Sequence, residues 1–243
     1  MTSSPPAPNA QYSYVGQELD LFARAANWKA YFGATLARFI RGDVLEVGAG
    51  IGQTTRHLCN GHQRSWTCLE PDPALAQRLS ADPNVRDLHP RPVVRIGTTG
   101  SVDDGSKYDT ILYIDVLEHI EHDREELERA SRLLMRGGTL IVLSPAFGFL
   151  FSDFDRSVGH CRRYTTRSLA AVMPSGLVKR RLHYLDSVGF LASLGNRMLL
   201  RQSMPSSAQI AFWDGRMVPL SRFADPLVRR VFGRSVIGVY ERR

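Results

Sequence analysis

Between Asp43 and Ser144 the chain alternates short apolar runs with helix-forming runs, five times within about 100 residues. Such alternation predicts parallel strands joined by helical crossovers, that is, a doubly wound α/β sheet. The strands are expected at Asp43–Val47, Trp66–Leu69, Val93–Ile96, Tyr108–Asp115 and Thr139–Ser144, the helices at Ile51–Cys59, Pro73–Ser80 and Glu121–Met135. The run YDTILYID is apolar almost throughout, as a central strand covered on both faces requires. Glu121–Met135 opens on acids and ends near Arg132 and Arg136, which complements the helix dipole, and Gly137-Gly138 is expected to stop it. In a sheet of this kind ligands bind beyond the carboxyl ends of the strands, so candidate site residues are sought there.

A single domain is expected over 1–243. Residues 1–11 (MTSSPPAPNAQ) read as a disordered tail with neither the basic nor the apolar stretch of a secretory signal. Residues 12–42 read as an N-terminal helical cover, because Leu19, Phe22, Ala26, Ala30, Phe32 and Leu36 recur at three- and four-residue spacing. Residues 43–146 form the alternating core, and 147–243 a lid, an insertion and the final strands. Those strands are expected at Leu177–Tyr184 and Ser235–Tyr240, with no pattern assignable over 185–230. No run of eighteen apolar residues is present, so no transmembrane segment is expected; peripheral lipid contact stays open. Cys59, Cys68 and Cys161 have no metal-ligand spacing, and unpaired cysteines suit a reducing cytoplasm. The net charge of +7 is uneven. Residues 1–160 hold 16 basic and 20 acidic side chains, a net of −4; residues 161–243 hold 15 and 4, a net of +11. A split of this size bears on partners.

The first strand runs into Glu46-Val47-Gly48-Ala49-Gly50-Ile51-Gly52. Glycines there allow a tight turn and close backbone approach to a ligand. The loop departs from the dinucleotide fingerprint: its third glycine comes one residue early, Gln53 stands where that fingerprint wants glycine, and Glu46 adds a carboxylate that would repel a pyrophosphate but attract an ammonium. The second strand ends in Leu69-Glu70-Pro71-Asp72, which places a carboxylate where ribose hydroxyls can be accepted.

Taken in order, VLEVGAGIG, LEPD, YDTILYIDVLEHI and LLMRGGTLIVLSPA resemble the successive motifs of class I S-adenosylmethionine-dependent methyltransferases over Asp43 to Ala146. The resemblance implies a Rossmann-like, mostly parallel seven-stranded sheet that binds S-adenosylmethionine and releases S-adenosylhomocysteine. It implies that Glu46, Gly48, Ala49, Gly50 and Gly52 hold the methionyl part, that Glu70 and Pro71 meet the ribose, and that Asp115 and Leu117 line the pocket near the sulfonium. In similar enzymes an N-terminal helix covers the cofactor, which makes Trp28 a candidate contact. Many family members carry an acid after the third strand for the adenine amino group. Here the segment is Gly97-Thr98-Thr99-Gly100, so backbone or hydroxyl groups are expected to take that role, and Asp103 and Asp104 beside Gly105 read as a turn.

After the fifth strand, Ser152 to Tyr164 (SDFDRSVGHCRRY) resembles the GHxRRY lid of a subset of these enzymes. Methyl transfer is an in-line displacement at an activated sulfonium. The protein must align the acceptor and remove its proton, and His160 is the candidate base. Arg162 and Arg163 are candidates for binding an anionic substrate group, with at least one expected to tie the lid to Asp153 or Asp155, and Tyr164 lies beside them. Asp115, Glu118, His119 and His160 also resemble the E-x-x-E-H metal cluster of ubiquinone-pathway O-methyltransferases and small-RNA 2′-O-methyltransferases. Aspartate shortens one arm, and the same pattern occurs in metal-free relatives, so no metal is expected. The expected function is methylation of an oxygen or nitrogen of a small, anionic or amphiphilic molecule in the cytoplasm. The alternatives are an RNA 2′-O-methyltransferase, for which no RNA-binding module is readable, and a non-catalytic S-adenosylmethionine-binding regulator. DNA is not an expected partner, and oligomeric state is not legible.

Overall fold

The computed structural model describes residues 13–14, 16, 18–196 and 205–243; the expected tail over 1–11 lies outside them. Seven strands are formed: β1 (Gly42–Val47), β2 (Gln63–Glu70), β3 (Val93–Ile96), β4 (Tyr108–Ile114), β5 (Leu134–Pro145), β6 (Leu177–Leu185) and β7 (Ser235–Arg242). They make one sheet in the order β3-β2-β1-β4-β5-β7-β6. Neighbours from β3 to β5 are parallel, while β7 runs antiparallel to both β5 and β6. Strand order reverses direction between β1 and β4, which opens a crevice at their carboxyl ends.

Eleven α-helices are assigned among the described residues: α1 (Glu18–Phe22), α2 (Ala26–Leu36), α3 (Gln53–Leu58), α4 (Pro73–Ala81), α5 (Pro83–Arg86), α6 (Asp123–Leu133), α7 (Asp153–Ser157), α8 (Thr166–Val172), α9 (Ser187–Gly195), α10 (Ser207–Phe212) and α11 (Val218–Leu227). Successive strand residues point to opposite faces, so the sheet builds two cores. Val44, Leu112 and Ile141 pack with Phe32 and Leu36 of α2, Leu58 of α3 and Ile210 of α10. Their neighbours Leu45, Tyr113 and Val142 pack on the other face with Leu127 and Ala130 of α6 and Leu169 of α8. β4 and the Thr139–Ser144 part of β5 are therefore buried on both faces, as the apolar run YDTILYID suggested for β4.

The boundary between α6 and β5 differs most from expectation. α6 ends at Leu133, and β5 begins at Leu134 instead of Thr139. Tyr108 pairs with Leu134, and Gly137 at φ 74° carries the chain through the register shift that follows. The glycines are thus inside the strand and do not cap the helix. The unassigned segment 185–230 folds, over its described residues, as α9, α10 and α11.

That insertion is held by acids. Three of the four acidic residues of 161–243 are buried: Asp186, Asp214 and Asp225. Asp214 accepts from the backbone N–H groups of Asn27 (3.1 Å) and Trp28 (2.8 Å), fastening the stretch after α10 to α2. Asp225 accepts from Tyr31 Oη (2.7 Å) and from the Asp186 and Ser187 N–H groups (2.7 and 2.9 Å). Asp186 accepts from Trp213 Nε1 (2.7 Å) and Ser221 Oγ (2.6 Å). The uneven charge seen in the sequence is therefore more uneven still at the surface, where few acids remain to offset the arginines. Among the described residues no helix is long and apolar enough to cross a membrane.

Candidate active site

The glycine loop after β1, the turn after β4, the segment after β5 and the α1–α2 cover meet at the carboxyl edge of the sheet. They enclose a cavity of about 210 Å³, whose wall includes Trp28, Lys29, Gly48, Ala49, Gly50, Asp115, Glu118, His119, His160, Arg163, Trp213 and Arg234. In the loop, Gly48, Gly50 and Gly52 all have positive φ (67°, 56° and 78°). A Cβ on Gly48 would lie 2.6 Å from Val116 Cγ2, and one on Gly52 would lie 2.3 Å from Leu79 Cδ1. These two glycines let the loop settle against its neighbours. At Gly50 a Cβ would reach only the Leu19 methyls at 3.8 Å, so its backbone faces open space on the cavity side. A bare-backbone cradle of this kind, under an aromatic cover and beside an acid, fits the methionyl half of S-adenosylmethionine.

Glu46 is not on the cavity wall. It is 2% exposed and its Oε2 accepts from Thr55 Oγ1 (2.7 Å) and Trp66 Nε1 (2.9 Å). Burial pushes its carboxyl up to about 7, although these donors pull the other way. Its place is inside the sheet, anchoring α3 and β2. Glu70 accepts from the N–H groups of Gly50 (2.8 Å) and Asp72 (3.0 Å), which ties the glycine loop to the end of β2. Glu70 and Pro71 border the loop outside the cavity wall, and Leu117 is fully buried in the core beneath it. Beyond β3, Thr99 Oγ1 is held by Glu126 (2.8 and 2.9 Å to its two oxygens), and Asp103 caps its own turn through the Gly105 N–H (3.3 Å).

Asp115 stands at the end of β4 with φ 54°, a backbone state that aspartate tolerates better than most residues. Protein surrounds it, but its side chain is open to the cavity. Burial raises its carboxyl to about 6, against the pull of His160, Arg234 and Lys29. Glu118 is fully buried; its Oε2 accepts from Ser144 Oγ (2.9 Å), and Oε1 has no hydrogen-bond partner among the described residues. Burial and Asp115 hold that carboxyl well above the usual range. The His119 ring stands edge-on to that of His160 at 4.6 Å, and burial lowers it to about 4. Glu118, His119 and His160 are close enough for one cation to be held by three donors. Asp115, the fourth member suggested by the sequence, is outside that grouping.

Asp155 organises the segment after β5. Its Oδ2 accepts from the Ser152 N–H (2.8 Å), which starts α7 as a capping box, and from Arg163 Nη2 (2.9 Å). Its Oδ1 accepts from Arg163 Nε (2.8 Å) and His160 Nδ1 (2.8 Å). Burial alone would raise Asp155, but the His160 and Arg163 donors outweigh it and hold the carboxyl well below the usual range. An ionised carboxylate only accepts, so Nδ1 of His160 carries a proton toward Asp155, and Nε2 lies 3.9 Å from Glu118 Oε1.

The expected substrate cations fare differently. Arg163 reaches the cavity wall, yet its fork is spent on Asp155. Arg162 turns away to Asp123 (2.6 Å) and the Glu121 carbonyl (2.8 Å). Tyr164 is 2% exposed and donates to Asp123 (2.6 Å), so it packs the segment down instead of facing a ligand. Sequence reasoning missed Lys29, Trp213 and Arg234. No local pattern marks them, because they come from three distant parts of the chain. Asp155 was expected, beside Asp153, to tie down an arginine of this segment, which Arg163 does; that it also holds His160 and Ser152 was not legible.

Residues 45–140 match the model of a methyltransferase domain. The strand order and the bare-backbone loop at the end of β1 agree with this match: residues 45–140 are a methyltransferase domain, carried on a Rossmann-like methyltransferase fold. Among solved structures it is similar to a putative methyltransferase seen in complex with the Trm112 activator of Haloferax volcanii (TM-score 0.60, 17% identity, 94% of this chain and 97% of that one). It is also similar to the N-methyltransferase NodS of Bradyrhizobium japonicum bound to S-adenosylhomocysteine (0.58, 13%, 96% and 94%). The [4+2]-cyclase SpnF is as near in fold (0.60, 15%, 99% and 99%), which shows that the sheet alone does not fix the reaction. No curated protein matches the chain in sequence.

Proposed function

We propose that the enzyme transfers the methyl group of S-adenosylmethionine to an oxygen or nitrogen of a small, anionic or amphiphilic acceptor in the cytoplasm, with His160 as general base. The observation that carries this reading is the Asp155–His160 pair. A buried carboxylate takes the Nδ1 proton of an imidazole that stands on the wall of the cavity shared with the glycine loop and Asp115, which reserves Nε2 for the acceptor in this reading. S-adenosylmethionine supplies an activated methyl group. In this reading Gly48–Gly50 and Trp28 seat its methionyl half, and Asp115 offers a carboxylate to its cationic centre. Lys29 donates to the carbonyls of Phe22 (2.7 Å) and Ala25 (3.4 Å), leaving its remaining N–H for the methionyl carboxylate. Burial lowers Lys29 to about 8, which still leaves it mostly charged at neutral pH. His160 then takes the acceptor's proton as the new bond forms, and α7 with residues 158–164 acts as the lid that keeps water out.

The test is incubation with labelled S-adenosylmethionine and a metabolite extract, followed by mass analysis of what gains one CH2 unit. His160→Ala is expected to lower turnover by about 10²–10⁴ with S-adenosylhomocysteine affinity nearly unchanged. Turnover surviving within a few-fold would leave His160 as a lid residue, and methylation confined to bulk RNA would favour the RNA 2′-O-methyltransferase reading that the basic C-terminal part invites.

A further inference from the structure

The cavity wall carries three cations, and two of them are committed. Arg163 is held edge-on by Asp155 through Nε and Nη2, with Nη1 3.5 Å from the Ala146 carbonyl, and Lys29 donates to two backbone carbonyls. Arg234 is different. Its guanidinium has no hydrogen-bond acceptor among the described residues and lies over the Trp213 ring, 4.5 Å from its centroid. Asp186, Asp115 and Asp155 attract it only at longer range, and Arg163 opposes them.

The residue is nonetheless rigidly placed. Its carbonyl accepts from the Ala146 N–H (2.8 Å) at the end of β5, and its own N–H donates to the Asp186 carbonyl (3.0 Å) at the start of α9. The ring beneath it is fixed as well, since Trp213 Nε1 donates to Asp186 Oδ2 (2.7 Å). A long cationic side chain without a partner is normally left in bulk water, because enclosing it carries a desolvation cost. Here the side chain stands on the cavity wall, which it shares with Pro145, Phe154 and Trp213.

We propose that Arg234 recognises the acceptor, and that its ligand is a carboxylate on an apolar or aromatic body. The inference rests on the methyl-transfer reading above and names the acceptor class for it. A planar fork matches a carboxylate with two parallel hydrogen bonds. A phosphate ester carries more charge and asks for more donors than one guanidinium offers, and the Asp115 carboxylate on the same cavity wall opposes a second negative charge. The aromatic and proline side chains around Arg234 supply surface for the rest of the molecule. This moves the anion site from Arg162 and Arg163, where the sequence suggested it, to a residue more than seventy positions later.

The experiment reads binding instead of turnover. Full-length enzyme saturated with S-adenosylhomocysteine is titrated by calorimetry with a panel of aromatic and aliphatic carboxylates, each beside its neutral carboxamide and, where it exists, the matching phosphate ester. At least one carboxylate is expected to bind about 10–100-fold tighter than its carboxamide, as loss of a charge-assisted pair of hydrogen bonds implies. Arg234→Gln is expected to erase that preference and Arg234→Lys to restore part of it, both with unchanged affinity for S-adenosylhomocysteine. Three outcomes overturn the proposal: no carboxylate preferred over its amide, a preference that survives Arg234→Gln, or phosphate esters bound in place of carboxylates. Loss of S-adenosylhomocysteine affinity in Arg234→Gln would overturn it too, by assigning the guanidinium to the cofactor's own carboxylate. A carboxylate that binds as expected but is never methylated would leave Arg234 standing and sink the methyl-transfer reading instead.

Discussion

Asp155→Asn is the substitution with the largest consequence that the geometry allows to be worked out. Asp155 is fully buried and accepts five hydrogen bonds within 3 Å, from Ser152 N–H and Oγ, His160 Nδ1, and Arg163 Nε and Nη2. Asparagine has nearly the same shape but offers one acceptor oxygen in place of two. Whichever way the amide turns, its NH₂ group meets two or three donors, and the guanidinium of Arg163, with its side chain 11% exposed, loses its counter-charge. Removing one partner of a buried pair costs about 3–5 kcal/mol. At about 2–4 °C per kcal/mol for a chain of this length, the thermal midpoint is expected to fall by about 6–20 °C. The assay is thermal unfolding of wild type, Asp155→Asn, Arg163→Met and the double variant. The double variant is expected to lose clearly less than the sum of the single ones, because the stranded charge is gone. Methyl transfer is expected to fall even at temperatures where the variant is folded, since nothing then fixes the His160 tautomer. A midpoint lowered by less than about 2 °C, or strict additivity in the cycle, would refute the view that one buried carboxylate organises the segment.

Four further outcomes follow from the site. Glu70→Ala is expected to weaken S-adenosylhomocysteine binding by about 1–3 kcal/mol in calorimetry, from loss of ribose acceptors and of the Gly50 tether; unchanged affinity would remove Glu70 from the site. Activity is expected to persist after exhaustive chelation, and recovery of lost activity by Mg²⁺, Mn²⁺ or Zn²⁺ would instead make ligands of Glu118, His119 and His160. Glu46, raised by burial from 4.5 to about 7, binds its proton more tightly folded than unfolded. The stability from that proton is complete below about pH 4.5 and is lost as pH rises through 7, so wild type should lose about 3 kcal/mol relative to Glu46→Gln between those limits; parallel stability curves would contradict this. Acceptor affinity is expected to change little between 50 and 200 mM salt, whereas an RNA neutralising six or more phosphates would lose about 10³-fold or more.

The sheet was written in the sequence because both of its signals are local. Continuous apolar runs such as Tyr108–Asp115 mark strands buried on two faces, and the glycines of 48–52 mark a backbone that no other residue type fits as well. Those signals also gave the cofactor class, together with His160 as a group to watch. What the sequence could not decide is which polar groups are already spoken for. Glu46, Arg162 and Arg163 carry the right charges in suggestive places, yet each is satisfied by a partner distant in sequence or across a turn: Thr55 and Trp66, Asp123, and Asp155. Arg234 carries no motif and becomes notable only because tertiary folding encloses it beside Trp213 without giving it an acceptor. Hydrogen bonding saturates, so a charged residue's availability is a property of all its neighbours at once, and only the folded chain brings those neighbours together.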